Sequence, residues 1–383
     1  MANITSMKNL FCVLLVMFFV ACTVGIIGPY IALHLAGAGA AGWQIGALTA
    51  LPVGAMVFAG PFVQRIASKF GSKNVLYGAT GAVILAYLSM TALDSLWGWA
   101  ALLVLIGLGN SALFAICDTT VNTLAAETNR GRIIGAYTTS LSTGYAVGPG
   151  ALAISGTEGV LPLWLCAGLI GCALTLLGRL RVPEGMEQMV KISIVQIFRR
   201  EPFLLAAIAL VAGLDVLALD FVPLLGLNSP LYSARPSLLA TCTMCGAIIC
   251  QFPIGWLADR VNRERLLLTV IALSGLLPLA LPQALALNYL AYPLLFVWGG
   301  ALSSIFTLTI TLNGERHSGR ELLSYQAALV TMEGFGNFAG PLLAGGAYTF
   351  SMRYGVVALI VVACILALVV GGLCRPRNKE VEL

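Results

Sequence analysis

The chain has 383 residues, of which 59% are hydrophobic and only 10% charged, with a formal net charge of +5. This is far more apolar surface than one soluble core can bury, which excludes an ordinary globular protein and leaves a multi-spanning membrane chain. The positive balance is used up at the ends of the predicted spans, so it gives no reason to expect a nucleic-acid partner.

Apolar stretches of about 18 to 25 residues predict helices at 10–34, 43–63, 74–93, 96–120, 133–155 and 160–178, and again at 203–226, 236–257, 265–282, 289–312, 322–346 and 354–374. The first could be mistaken for a signal peptide, with Ala21-Cys22 a faint lipoprotein-type site. Its apolar run continues to about Leu35 without a small-residue cleavage site, so an uncleaved span is expected. The result is an all-α protein of twelve spans in two halves, residues 1–178 and 203–383, joined by a linker over 179–202. Within that linker Pro183-Glu184-Gly185 breaks the sixth span. The charged, partly apolar run Met186 to Arg200 reads as a tether with one interfacial amphipathic helix.

Basic residues flanking membrane spans are retained on the cytoplasmic side. With the N-terminus inside, every Lys and Arg except Arg235 and Arg353 falls in a cytoplasmic segment, from Lys8 to Arg375, Arg377 and Lys379. A wrong span count would swap sides partway along the chain and destroy that asymmetry. Both termini are therefore expected in the cytoplasm, in a bacterial inner membrane.

The halves repeat one another. Gly144, Gly148 and Pro149 in the fifth span are echoed by Gly336, Gly340 and Pro341 in the eleventh, Pro29 by Pro223, and Gly107 by Gly299. Glycines four apart lie on one helix face and let backbones approach, while proline permits a bend. After the second span of the first half stands Gly60-Pro61-Phe62-Val63-Gln64-Arg65. At the corresponding place in the second half stands Gly255-Trp256-Leu257-Ala258-Asp259-Arg260, with Arg263 and Arg265 beyond it.

That glycine-to-arginine signature resembles the loop after the second helix of each half in the major facilitator superfamily, and the resemblance covers essentially the whole chain. It implies a secondary transporter of two pseudo-symmetric six-helix bundles working by alternating access. It also implies a cytoplasmic latch in which Asp259 sits at the dipole-positive start of the fifth helix, with Gly255 packing its helix tightly. Gln64 stands where the first copy would carry aspartate, so that latch lacks the charge term. The Gly-Pro elements are similar to a helix-5 motif linked to exporters, although Gly150-Ala151-Leu152-Ala153 follows Pro149 where that motif continues to a Gly-Gly pair. Leu103 occupies a position where many proton-coupled members carry arginine.

Every clear ionisable group deep inside a span is acidic: Asp118 on the fourth, Asp215 and Asp220 on the seventh, and Glu333 on the eleventh. An ionised acid at mid-membrane costs about 2.5 to 3.5 kcal/mol on insertion scales, so such residues face a cavity, find a partner or take up a proton. Asp215 and Glu333 come closest to the midplane, which makes them the foremost candidates for proton coupling. Asp118 is shallower on the cytoplasmic side and Asp220 lies toward the outside. By the resemblance, the first, fourth, seventh and tenth helices line the central cavity. Tyr30, Asn110, Trp298, Asn337 and Gln326 are candidate ligand contacts, each with the alternative of a structural hydrogen bond between helices.

Other chemistry is thin. Cys242 and Cys245 form a C-x-x-C inside a span without a nearby histidine, which reads as helix packing. His34 and His317 do not look like metal ligands. No nucleotide-binding loop, catalytic triad or metal cluster is visible, so neither an enzyme nor a cofactor is expected. The partners expected are a small-molecule substrate, protons and the bilayer, with a functional monomer. Efflux of amphiphilic, cationic or neutral compounds and symport of a metabolite or vitamin both fit these residues, ahead of a non-transporting receptor or membrane enzyme.

Overall fold

In a bilayer no water is available to the backbone, so each segment must satisfy its own polar groups, and helices do so. The computed structural model describes residues 2–93, 95–125, 130–157, 159–182, 194–227, 229–287, 290–317 and 319–373, and its long elements are all helical. The first half contains α1 (Ala2–Gly37), α2 (Gly42–Phe70), α3 (Ser72–Met90), α4 (Leu96–Leu124), α5 (Arg130–Ser155) and α6 (Leu161–Leu177). The second contains α7 (Pro202–Asp220, resumed as Val222–Gly226) and α8 (Ser237–Ala258). Then come α9 (Arg263–Leu276, carried on through Leu277–Ala280 and Leu281–Ala284), α10 (Ala291–Arg316), α11 (Gly319–Phe350) and α12 (Gly355–Leu373). A short helix, Ile194–Arg200, precedes α7 where the interfacial helix was expected. The rest of that expectation, at 183–193, lies outside the described residues, as does the basic tail from 374 onward.

Local sequence explains the ends. Ser95 caps α4 by accepting from the Gly98 N–H, and Asn262 caps α9 by accepting from the Arg265 N–H. Gly71, at φ 82°, makes the one-residue turn between α2 and α3 that a side chain would resist. The two related helices α1 and α7 differ: α1 runs unbroken through Pro29, whereas α7 breaks at Phe221, just before Pro223.

Eight helices are long and apolar enough on their own to cross a bilayer. The other four are α3, α5, α11 and the 17-residue α6. Two of them, α5 and α11, carry the seams described next and are accordingly rich in small residues such as Gly, Ala, Ser and Thr.

Each half is a bundle with the same internal contacts. In the first, α1 packs on α5 and α6, α2 on α4, and α3 on α4 and α6. In the second, α7 packs on α11 and α12, α8 on α10, and α9 on α10 and α12. Glycine makes the matching seams close. A Cβ at Gly148 would lie 2.7 Å from the Cys22 carbonyl oxygen, and one at Gly340 would lie 2.7 Å from that of Gly213. Gly107 on Pro52 and Gly299 on Thr243 repeat the device between α2 and α4 and between α8 and α10.

The bundles meet through α2 with α11, α5 with α8, and α1 with α7. These contacts gather at the end away from the basic loops. Gly42 and Gly46 meet Gly345, the Trp43 N–H donates to Thr349 Oγ1 at 2.8 Å, Phe58 meets Phe338 edge-on, and Gly150 meets Thr241. Toward the basic end, Phe62, Ile66, Phe252 and Trp256 on the helices that should close it are exposed. Among the described residues, the contacts between the bundles lie toward the far end.

Candidate functional site

The seam between α7 and α11 positions the acids. Gly213 sits against Gly336 and Gly340; Asp215 lies two residues beyond Gly213 and Glu333 one turn before Gly336, and the two acids are within electrostatic reach of each other. The seam between α1 and α5 does the same for the first bundle. Gly144 and Gly148 dock on α1, and Tyr145 between them is carried to the interface, where Glu333, Asp118 and Asp215 all act on it. Glu333 also lies within electrostatic reach of Asp118 across the interface.

Three acids from α4, α7 and α11 therefore converge with two tyrosines from α5. Tyr137 is buried and donates its hydroxyl to Asp118 Oδ1, a bond made wholly within the first bundle. Asp215, Glu333 and Tyr145 have no hydrogen-bond partner among the described residues, and all three are partly accessible. Chemically the cluster is an anionic, aromatic-edged site that can attract a cation, hold a proton, or exchange one for the other. The sequence reading missed both tyrosines. Their signal was present, since Tyr137 is near the depth of Asp118 and Tyr145 sits inside the Gly144-x-x-x-Gly148 element.

Other candidates lie elsewhere. Tyr30 is buried near the far end, donates to the Gly159 carbonyl at 2.8 Å and stacks with Trp99 and His34. Trp298 is fully buried and gives its ring N–H to the Ser274 carbonyl of α9 at 2.9 Å. Both are satisfied inside their own bundles, in line with the structural alternative that the sequence left open for them. Gln326 accepts from Asn313 at 3.3 Å. Asn110 is buried with Oδ1 unpartnered, while Asn337, a turn beyond Glu333, is partly accessible.

Asp220 is separate from the cluster. It is 3% exposed at the far end of α7, with Oδ1 unpartnered and lodged where Gly28 of α1 lacks a side chain; a Cβ there would collide with it.

At the basic end Asp259 shows no contact with the start of α5 among the described residues, and residues 126–129 just before it lie outside them. Asp259 has a 74% exposed side chain and accepts from Arg263 at 2.8 Å, and Arg260 stacks over Trp256 at 3.6 Å. A Cβ at Gly255 would touch nothing within 4 Å and one at Gly60 only Ser111, so neither glycine makes a tight contact here, contrary to the expectation for Gly255. Arg65 lies 6.0 Å over the Phe62 ring, and Gln64 makes contacts of its own. The second bundle holds an ion network that the sequence reading took only as topology. Arg316 binds Glu201 and Glu264 at the starts of α7 and α9, and Arg263 pairs with Glu315 as well as Asp259.

Comparison with known proteins bears on this arrangement. The family model described as "Major Facilitator Superfamily" matches residues 10–235 and 229–382. The uncharacterized MFS-type transporter YfkF of Bacillus subtilis (strain 168) is 28% identical over 274 residues, 69% of this chain and 68% of its own. An uncharacterized MFS-type transporter of Yersinia pseudotuberculosis serotype O:3 (strain YPIII) is 24% identical over 314 residues, 79% of this chain and 78% of its own. Among solved structures, the nucleoside transporter NupG superimposes with a TM-score of 0.76 at 14% identity, covering 96% of this chain and 98% of that one.

Proposed function

The chain belongs to the Major Facilitator Superfamily and is a secondary transporter of small molecules, and from that premise we propose that it exchanges protons for an amphiphilic cationic or neutral organic compound, moving the compound outward. The observation that carries this reading is the convergence of Asp118, Asp215 and Glu333 from both bundles, with Tyr145 among them. The sequence supplies no Lys or Arg at that depth. Uncompensated acids repel an anionic substrate, attract a cation and are the groups a proton would neutralise. Because Asp118 belongs to one bundle and Asp215 and Glu333 to the other, rocking changes the distance from Asp118 to the other two, and that couples proton to substrate.

On this reading residues 1–178 and 203–383 are the rocking units and 179–202 tethers them. Both termini are cytoplasmic in a bacterial inner membrane, a single chain suffices, and the basic end faces the cytoplasm. Asp215 and Glu333 carry the coupling, with Asp118, Asn110 and Asn337 near the path. Asp259 and Arg260 serve the latch when the basic end closes, with Gly60, Gln64 and Arg65 its weaker counterpart. The incomplete exporter-type element at Gly150-Ala151 favours a second reading, symport of a small metabolite or vitamin inward.

Reconstituted proteoliposomes at clamped potential decide between them. An interior-acid gradient should drive uptake of ethidium, with protons leaving as the dye enters. Accumulation driven by an exterior-acid gradient would favour symport, and robust transport of a dicarboxylate or sugar phosphate would remove the acids from the substrate path.

A further inference from the structure

The three acids of the cluster are not equivalent, and the difference lies in their partners. Asp118 accepts a hydrogen bond from Tyr137, and both ends of that bond belong to one bundle, α4 and α5. Rocking of the bundles leaves it intact. Asp215 and Glu333 have no such donor among the described residues; Glu333 acts on Asp215, Asp118 acts on Glu333, and all three acids act on Tyr145. A phenol hydroxyl aimed at a carboxylate oxygen is a charge-assisted bond, which the ionised acid accepts best. A second phenol, Tyr145, and the Cys117 thiol stand near the pair; the acid facing it from the other bundle is Glu333.

We propose that Tyr137 is a positioning residue that keeps Asp118 as the standing negative charge of the site, leaving Asp215 and Glu333 to exchange the proton. The fixed charge does two things. It gives a cationic substrate an anchor whether or not the proton is aboard. It also opposes ionisation of Glu333 to an extent set by the distance between bundles, so rotation itself changes the hold on the proton. This rests on the reading of the cluster as a cation and proton site.

Tyr137→Phe removes the hydroxyl and keeps the ring, so packing is preserved. The probe is tetraphenylphosphonium, bound to the full-length protein in nanodiscs. At about pH 8.5 the variant should match the wild type within twofold, because Asp118 is ionised with or without its donor. At about pH 6 it should bind about tenfold more weakly. An equal loss at both pH values would make Tyr137 merely structural, and no loss at either would make it idle; both outcomes overturn the assignment. If the wild type binds no tetraphenylphosphonium, the cation reading fails, and a substrate-free measurement still decides the role of Tyr137. In infrared difference spectra, the protonated-carboxyl band abolished by Asp118→Asn should be markedly stronger at about pH 6 in Tyr137→Phe than in the wild type. Identical bands in the two proteins would overturn the proposal. Should Tyr137→Phe fail to fold, Tyr137→Met, which also removes the hydroxyl and fills the space with a flexible side chain, is read by the same criteria.

Discussion

The two bundles share a scaffold but not a charge distribution. In both, a glycine pair on the fifth helix of the half closes on the first helix of that half, with backbones near enough to leave no room for a side chain. Yet the first bundle brings tyrosines and one tethered acid to the interface, whereas the second brings two untethered acids. The second bundle also ties its basic end with arginine networks, where Arg65 and Lys69 of the first lie over aromatic rings. Duplicated backbone geometry has been kept while the chemistry has been divided, so substitutions in the shared seam should act alike and substitutions at the interface should not.

The largest effect expected is on the seams. Gly148→Leu and Gly340→Leu each drive a branched side chain against a carbonyl oxygen, at a cost of about 3 kcal/mol. Both should sharply lower the yield of monodisperse protein in size-exclusion chromatography. A collapse of one and tolerance of the other would break the equivalence of the two scaffolds.

Next come the acids. Asp215→Asn should abolish gradient-driven flux in proteoliposomes while leaving substrate exchange without a gradient, and Glu333→Gln should do the same. Unchanged driven flux in both would take the proton off these residues and return attention to Asp118 and Asp220.

A smaller effect is expected at the basic end of the second bundle. Arg316→Gln leaves Glu201 and Glu264, which are 17% and 25% exposed, without their shared cation. At that exposure the loss should be about 1 kcal/mol, seen as a drop of a few degrees in the melting temperature and diminished by high salt. Lys73→Gln, whose amine reaches only the Gly178 carbonyl at 3.4 Å, should change it far less.

The smallest effect concerns the latch. Asp259→Asn should shift the resting population toward the state open at the basic end, and Gln64→Ala should shift it less, as read by cysteine accessibility from each side. Equal shifts would mean that the two copies of the motif work alike despite their different residues.

The spans were legible because a bilayer imposes length and polarity on every crossing segment, and the Gly-Pro seams because close approach has few residue solutions. Depth along a helix was also legible, which is how Asp118, Asp215 and Glu333 were singled out. Direction around the helix was not, since these spans are apolar on nearly every face. Tyr30 and Trp298 accordingly read either as ligand contacts or as structural hydrogen bonds between helices, and their polar atoms are satisfied by Gly159 and Ser274. The same blindness hid Tyr137 and Tyr145. Gly255 meets nothing close and Asp259 pairs with Arg263, and neither local contact could be read from a motif, which does not encode the state in which it is caught.

Asp220 has a wider consequence. Its carboxyl is sealed against Gly28 at the far end, with one oxygen unpartnered and almost no surface exposed. Parting α1 from α7 there must admit water to that carboxyl before it can do anything else, so each turnover includes a hydration step as well as a rotation. The balance between the two faces then has a water stoichiometry, and it responds to osmotic strength: a solute too large to enter the far cleft withdraws water from it and favours the closed form.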